Sequence, residues 1–178
     1  LEESLYRIVD ANLNRAREGL RVLEELVRFY FEDLRLTARC REMRHTLARY
    51  AENIPGGYTA LLAGREAARD VGSASWPGEG VRAGLAQLVA ANCKRTQEAL
   101  RVLEEYAKVL HWPADGLKAL RFASYELEKS IMSLTESGCR RGERVRRGRR
   151  RRPVTPGFPV PFRRVGVKRR GVKDDPTD

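Results

Sequence analysis

The chain has 178 residues, 33% of them charged, and a formal net charge of +11; that length suits one ordinary domain with a real hydrophobic core. The charge is uneven: residues 140–178 hold thirteen Arg and two Lys against one Glu and three Asp, so the whole excess sits in the tail and residues 1–139 are neutral. Three cysteines without CxxC spacing and only two histidines argue against a disulfide framework or a zinc site, and the lack of a long apolar run or a cleavable signal leads us to expect a cytoplasmic protein with no membrane partner.

Taken in order, Ser4 to about Asp33 predicts one long helix, free of Pro and with its only Gly at position 19. Wound at roughly 100° per residue, it splits into an apolar arc carrying Leu13, Ala16, Leu20, Leu23, Leu26, Val27, Phe29 and Tyr30 and a polar arc carrying Asn14, Arg17, Glu18, Arg21, Glu24 and Glu25. Asn12 and Arg15 break the pattern, projecting from the apolar side. A polar group on a buried face costs stability unless it is paired, so the exception asks for a cause.

A second helix is predicted from about Leu36 to Asn53, with Thr37 as a cap, ended by Pro55-Gly56-Gly57. The pattern then loosens into a short helix, Thr59 to Arg69, and a long connection through Asp70, Gly72, Ser73 and Trp76-Pro77-Gly78. A connection of this length is more often functional or mobile than idle. Gly72 and Ser73 offer backbone N–H groups and a hydroxyl to a phosphate, and Asp70 a carboxylate to hydrated Mg²⁺; a plain solvated linker is the competing reading, which composition favours. The third helix runs from about Val81 to Leu110 and stops at His111-Trp112-Pro113, and the fourth from about Asp115 to Ser137.

The third helix rewrites the first. Ala11–Leu26 reads ANLNRAREGLRVLEEL, and Ala91–Tyr106 reads ANCKRTQEALRVLEEY, identical at ten of sixteen positions at an offset of 80. The polar exceptions recur as Asn92 and Arg95. Two explanations stand side by side: a network within each helix, Arg15 with Glu18 and Arg95 with Glu98, or a polar cleft for an anion lined by both copies. Gly19 and Ala99 keep the arc small at equivalent positions, and a mid-helix glycine costs roughly 1 kcal/mol against alanine. Close approach of the two repeat helices across a pseudo-twofold axis explains that, as does room for one neighbouring side chain. Met43-Arg44 and Leu120-Arg121 correspond if each repeat is a helical hairpin.

The expected fold is therefore all-α: two duplicated αα-hairpins, 4–54 and 81–137, joined by a loop over 55–80 into a four-helix domain, 1–138. Apolar arcs about 200° wide, broader than a surface helix needs, favour a homodimer or a tight bundle. Beyond it, 139–178 reads as a disordered, Arg-rich tail. Three origins fit the tail: an arm binding nucleic acid or anionic membrane without specificity, a linker to another domain, or out-of-frame translation of a GC-rich gene.

Motifs for a P-loop, a dinucleotide fold, a nucleophile elbow and a zinc protease are missing from the sequence. What remains is a doubled set of Asn, Arg and Glu. Guanidinium groups suit phosphate because they donate bidentately, and phosphoryl transfer proceeds largely by positioning and charge neutralisation, without a nucleophilic side chain.

Tyr6-Arg7-Ile8-Val9-Asp10-Ala11-Asn12, continuing through Arg15, Glu18-Gly19-Leu20-Arg21-Val22-Leu23-Glu24-Glu25, with Ala91-Asn92-Cys93-Lys94-Arg95 and Glu98 to Tyr106 downstream, closely resembles the helical hydroxymethylpyrimidine-phosphate kinase family of thiamin biosynthesis, found alone or fused ahead of thiamine-phosphate synthase. The resemblance covers about Leu5 to Leu134, including Arg69-Asp70-Val71-Gly72-Ser73, where Ser73 stands for a more usual Thr. It implies ATP- and Mg²⁺-dependent phosphorylation of hydroxymethylpyrimidine phosphate to the diphosphate. The competing expectation is a non-catalytic module that binds a thiamin precursor or assembles with the synthase. On the kinase reading we assign Arg15 and Arg95 to phosphates, Asn12 and Asn92 to phosphate or pyrimidine, Gly72 and Ser73 to the substrate, and Glu18, Glu98 or Asp70 to Mg²⁺.

Overall fold

The computed structural model describes residues 2–66, 68, 70–72 and 81–148, with 138–148 as backbone. Among these there are helices and turns and no strand: α1 (Glu2–Glu25), α2 (Leu34–Asn53), α3 (Gly57–Ala63), α4 (Leu85–Val109) and α5 (Asp115–Gly148), with a π-helical turn at Leu26–Tyr30 on the end of α1. α1 packs chiefly on α4, α4 on α5, and α1 on α2. The all-α class is as the sequence predicts.

The π turn corrects the reading of one unbroken helix to Asp33. An i→i+5 turn holds an extra residue, so the helical wheel slips beyond it. Leu26 and Val27 stay in the core, while Phe29 and Tyr30, assigned to the apolar arc, are 64% and 65% exposed. Glu32, at φ 53, reverses the chain. The cap of α2 is Asp33 rather than Thr37: its Oδ1 accepts from Leu36 N at 2.8 Å, and the Thr37 hydroxyl donates back to the Asp33 carbonyl at 2.7 Å.

α3 ends at Ala63, short of Arg69. Its C-terminal Gly64 lies so close to α1 that an added Cβ would sit 3.0 Å from the Glu3 carbonyl oxygen. At the far end the correction runs the other way. α5 continues past Ser137 through Gly148 into the arginines, because arginine is a good helix former and no proline intervenes before Pro153. The remainder of the tail expected to be disordered lies outside the described residues.

The core is built from the inner arcs. Leu20, Leu23, Leu100, Leu103, Leu127 and Ile131 are fully buried, each contributing roughly 1.5–3 kcal/mol. α1 and α4 run antiparallel, since Gly19 faces Asn92 whereas Ala16, earlier in the chain, faces Thr96. Ala16 and Thr96 are equivalent under the 80-residue offset, and the Thr96 hydroxyl lies 3.5 Å from the Ala16 carbonyl oxygen. A local twofold axis thus passes between them. A Cβ on Gly19 would fall 2.5 Å from Thr96 Oγ1 and 2.8 Å from the Asn92 carbonyl oxygen, so both backbone approach and side-chain accommodation require the glycine.

Candidate functional site

Between α1 and α4, the two helices leave an open cleft of about 650 Å³. Asn12, Arg15 and Glu18 line it from α1, and Lys94, Arg95 and Glu98 from α4, with Ala99 on the floor. Periodicity places them there: positions 12, 15, 18 and 19 share one side of a helix, and the second copy repeats that side. Five of the residues singled out in the sequence, Asn12, Arg15, Glu18, Arg95 and Glu98, therefore meet in one place.

The pairing expected within each helix is replaced by one across the axis. Arg95 Nη1 lies 3.8 Å from Glu18 Oε2, at the long end of an ion pair, and both side chains are exposed. Arg15, Lys94 and Glu98 have no hydrogen-bond or ion-pair partner among the described residues. The asparagines behave differently from the arginines. Asn12 Nδ2 donates to the Ile8 carbonyl and Asn92 Nδ2 to the Leu88 carbonyl, both at 2.8 Å, so each amide turns its nitrogen to its own backbone. Asn12 lines the cleft; Asn92 does not.

Asp70 and Gly72 do not line the cleft. Asp70 Oδ1 accepts from Gly72 N at 2.9 Å in a local turn, and Ser73 lies outside the described residues. No cluster of three His, Cys, Asp or Glu suited to a metal occurs among the described residues. Mg²⁺, however, asks for only one or two carboxylates, with phosphate oxygens and water completing its octahedron. Glu98, unpartnered, and Glu18, weakly paired, are the carboxylates in the cleft that could contribute to such a set; Asp70 does not line it.

Sequence periodicity missed two features. Lys94 lies on the cleft rim; its signal was a difference between the copies, since position 14 is asparagine. Glu24, read as a member of the polar arc, and its counterpart in the second copy, Glu104, are 1% and 5% exposed. Arg44 Nε and Nη2 both lie 2.6 Å from Glu24 Oε2, and Arg121 Nε lies 2.6 Å from Glu104 Oε1 with Nη2 3.2 Å from Oε2. The correspondence of Arg44 with Arg121 was the available clue. These pairs tie α2 to α1 and α5 to α4, and the hydrogen bonds to Glu104 push the Arg121 guanidinium further above its ordinary value.

Nucleophilic chemistry has no support at Cys40 or Cys93. Cys40 and Cys93 are fully buried, and burial pushes both thiols up to about 12, far from a reactive thiolate at neutral pH. A second groove, of about 630 Å³, opens between α2 and α5 over Met43 and Leu120. It carries no doubled polar set. No helix among the described residues is long and apolar enough to cross a membrane.

Residues 7–130 match the ThiD2 family. The thiamine-phosphate synthase of Thermosynechococcus vestitus is 46% identical over 131 residues, covering 72% of this chain and 36% of that protein. Those of Nostoc sp. and Rhodopirellula baltica are each 40% identical, over 84% and 74% of this chain and 40% and 36% of their own lengths. The chain thus spans well under half the length of these relatives. No solved structure matches it. A match over most of the chain has one consequence: the chain belongs to the ThiD2 family of thiamin biosynthesis.

Proposed function

We propose that the α1/α4 cleft catalyses transfer of a phosphoryl group from ATP to hydroxymethylpyrimidine phosphate, giving the diphosphate. The observation that carries this is the charge inventory of the cleft: two unpartnered cations, Arg15 and Lys94, and an unpartnered carboxylate, Glu98, around a twofold axis. Unpaired charges of both signs suit a phosphate ester accompanied by a divalent cation.

In the reaction an oxygen of the acceptor phosphate attacks the γ-phosphorus of ATP, and the bond from that phosphorus to the β–γ bridging oxygen breaks, releasing ADP. The attacking oxygen is already anionic, so no strong base is needed. Arg15 and Arg95 hold the phosphates and offset the charge that builds on the equatorial oxygens. Asn12 commits one N–H to the Ile8 carbonyl and keeps its carbonyl oxygen, which accepts from a donor such as the pyrimidine amino group. Glu18 and Glu98 would hold Mg²⁺, which would supply neutralisation of the phosphate charge.

The share of the relatives' length lying outside the match supports a second reading, an assembly module for thiamine-phosphate synthase. Phosphorus NMR of the full chain with hydroxymethylpyrimidine phosphate, ATP and Mg²⁺ separates them. Pyrimidine diphosphate is expected, and the double variant Arg15→Ala with Arg95→Ala is expected to lose turnover at unchanged helical content, because both side chains are exposed. A folded wild-type sample that forms no product would leave the assembly module as the reading.

A further inference from the structure

The cleft is built by a repeat, yet its two sides are not alike. Lys94 lies on the rim, exposed and without a partner among the described residues. Its counterpart, Asn14, is half-buried and turned elsewhere: Asn14 Nδ2 donates to Asp10 Oδ1 at 3.2 Å, and Asp10 is in turn clamped by Arg65 at 2.7 and 2.8 Å. Position 90, equivalent to Asp10, is alanine. At this position the α1 side is thus tied back toward the linking segment and brings one cation, Arg15, to the cleft, while the α4 side brings two, Lys94 and Arg95.

We infer that the cleft holds two phosphorylated ligands at once, one on each side of the twofold axis, with the nucleoside triphosphate on the α4 side carrying Lys94 and Arg95 and the phosphate monoester on the α1 side carrying Arg15. This rests on the phosphoryl-transfer reading above. Both equivalent arginines approach the axis from opposite sides, so phosphates bound one to each meet where transfer requires them, donor phosphorus against acceptor oxygen. A triphosphate carries more negative charge than a monoester and gains more from the extra ammonium, which binds phosphate as a point charge without demanding a fixed geometry. Lys94 is therefore a specificity-determining residue for the donor.

Isothermal calorimetry on the full chain tests the assignment, with the β,γ-imido analogue of ATP plus Mg²⁺ in one titration and hydroxymethylpyrimidine phosphate in another, against wild type, Lys94→Gln and Arg15→Gln. Neither side chain has a protein partner to lose, so both variants keep the fold, which circular dichroism checks. Lys94→Gln is expected to weaken the nucleotide analogue about tenfold and leave the monoester unchanged; Arg15→Gln is expected to do the reverse. Equal weakening of both ligands by Lys94→Gln, or a loss confined to the monoester, overturns the two-sided assignment while wild-type turnover stands. Wild type that binds neither ligand overturns the assignment and the kinase reading together.

Discussion

Glu24 and Glu104 occupy the same place in the two hairpins and are buried alike, but their surroundings differ. Around Glu24 stand Arg44, Arg41 at 3.5 Å and Arg21 at 3.9 Å; around Glu104 stand Arg121 and, at 3.4 Å, Arg101. The distance in sequence from glutamate to its main arginine is twenty residues in the first hairpin and seventeen in the second. The first hairpin makes its reversal with a π turn, and among the described residues it alone is followed by a short helix, α3, and tied to the segment beyond it by the Asp10–Arg65 clamp. A duplicated helix can therefore keep one buried ion pair in each copy while the flanks diverge, because the pair depends on two positions and not on the loop between them.

Removing the main arginine is the strongest way to break this comparison. A buried carboxylate stripped of its partner costs several kcal/mol, so Arg121→Met is expected to lower stability by about 3 kcal/mol. Arg44→Met is expected to cost less, about 2 kcal/mol, since Arg41 and Arg21 remain near Glu24. Urea denaturation of the two variants reads the order, and equal losses would show that the neighbouring arginines give Glu24 no shelter.

Gly19 and Ala99 sharpen it at a middle scale. On an unpacked helix Gly→Ala gains roughly 1 kcal/mol, but here the new methyl meets the Asn92 carbonyl and the Thr96 hydroxyl. Overpacking of this kind costs about 1–3 kcal/mol, so Gly19→Ala should destabilise on thermal melting, and a raised midpoint would refute the close approach of α1 and α4.

The smallest effect is expected at the feature found in the first hairpin alone. Asp10 is buried, but Arg65 is 39% exposed, so solvent screens the pair and Asp10→Asn should cost about 1 kcal/mol or less. Faster amide exchange over residues 57–66, with the second hairpin unchanged, is the expected signature. Equal loosening of both hairpins would show that the clamp serves the whole fold.

Sequence by itself determined the helical class and the long helices to within a few residues at most of their ends, and it offered the meeting of Asn12, Arg15, Asn92 and Arg95 as one of two readings, of which the tertiary structure brought Asn12, Arg15 and Arg95 together with Glu18 and Glu98 and left Asn92 out. The sequence readings follow from period and repeat: a 3.6-residue pattern selects a face, and a pattern written twice places two such faces against each other. It did not find the π turn, because one extra residue in a turn leaves no mark on composition. Nor did it bury Glu24 and Glu104, since a carboxylate's burial depends on an arginine supplied by another helix. Lys94 against Asn14 shows the same limit. Both are polar residues on a polar arc, and only the tertiary structure, through Asp10 and Arg65 on one side and open cleft on the other, decided which of them faces the site.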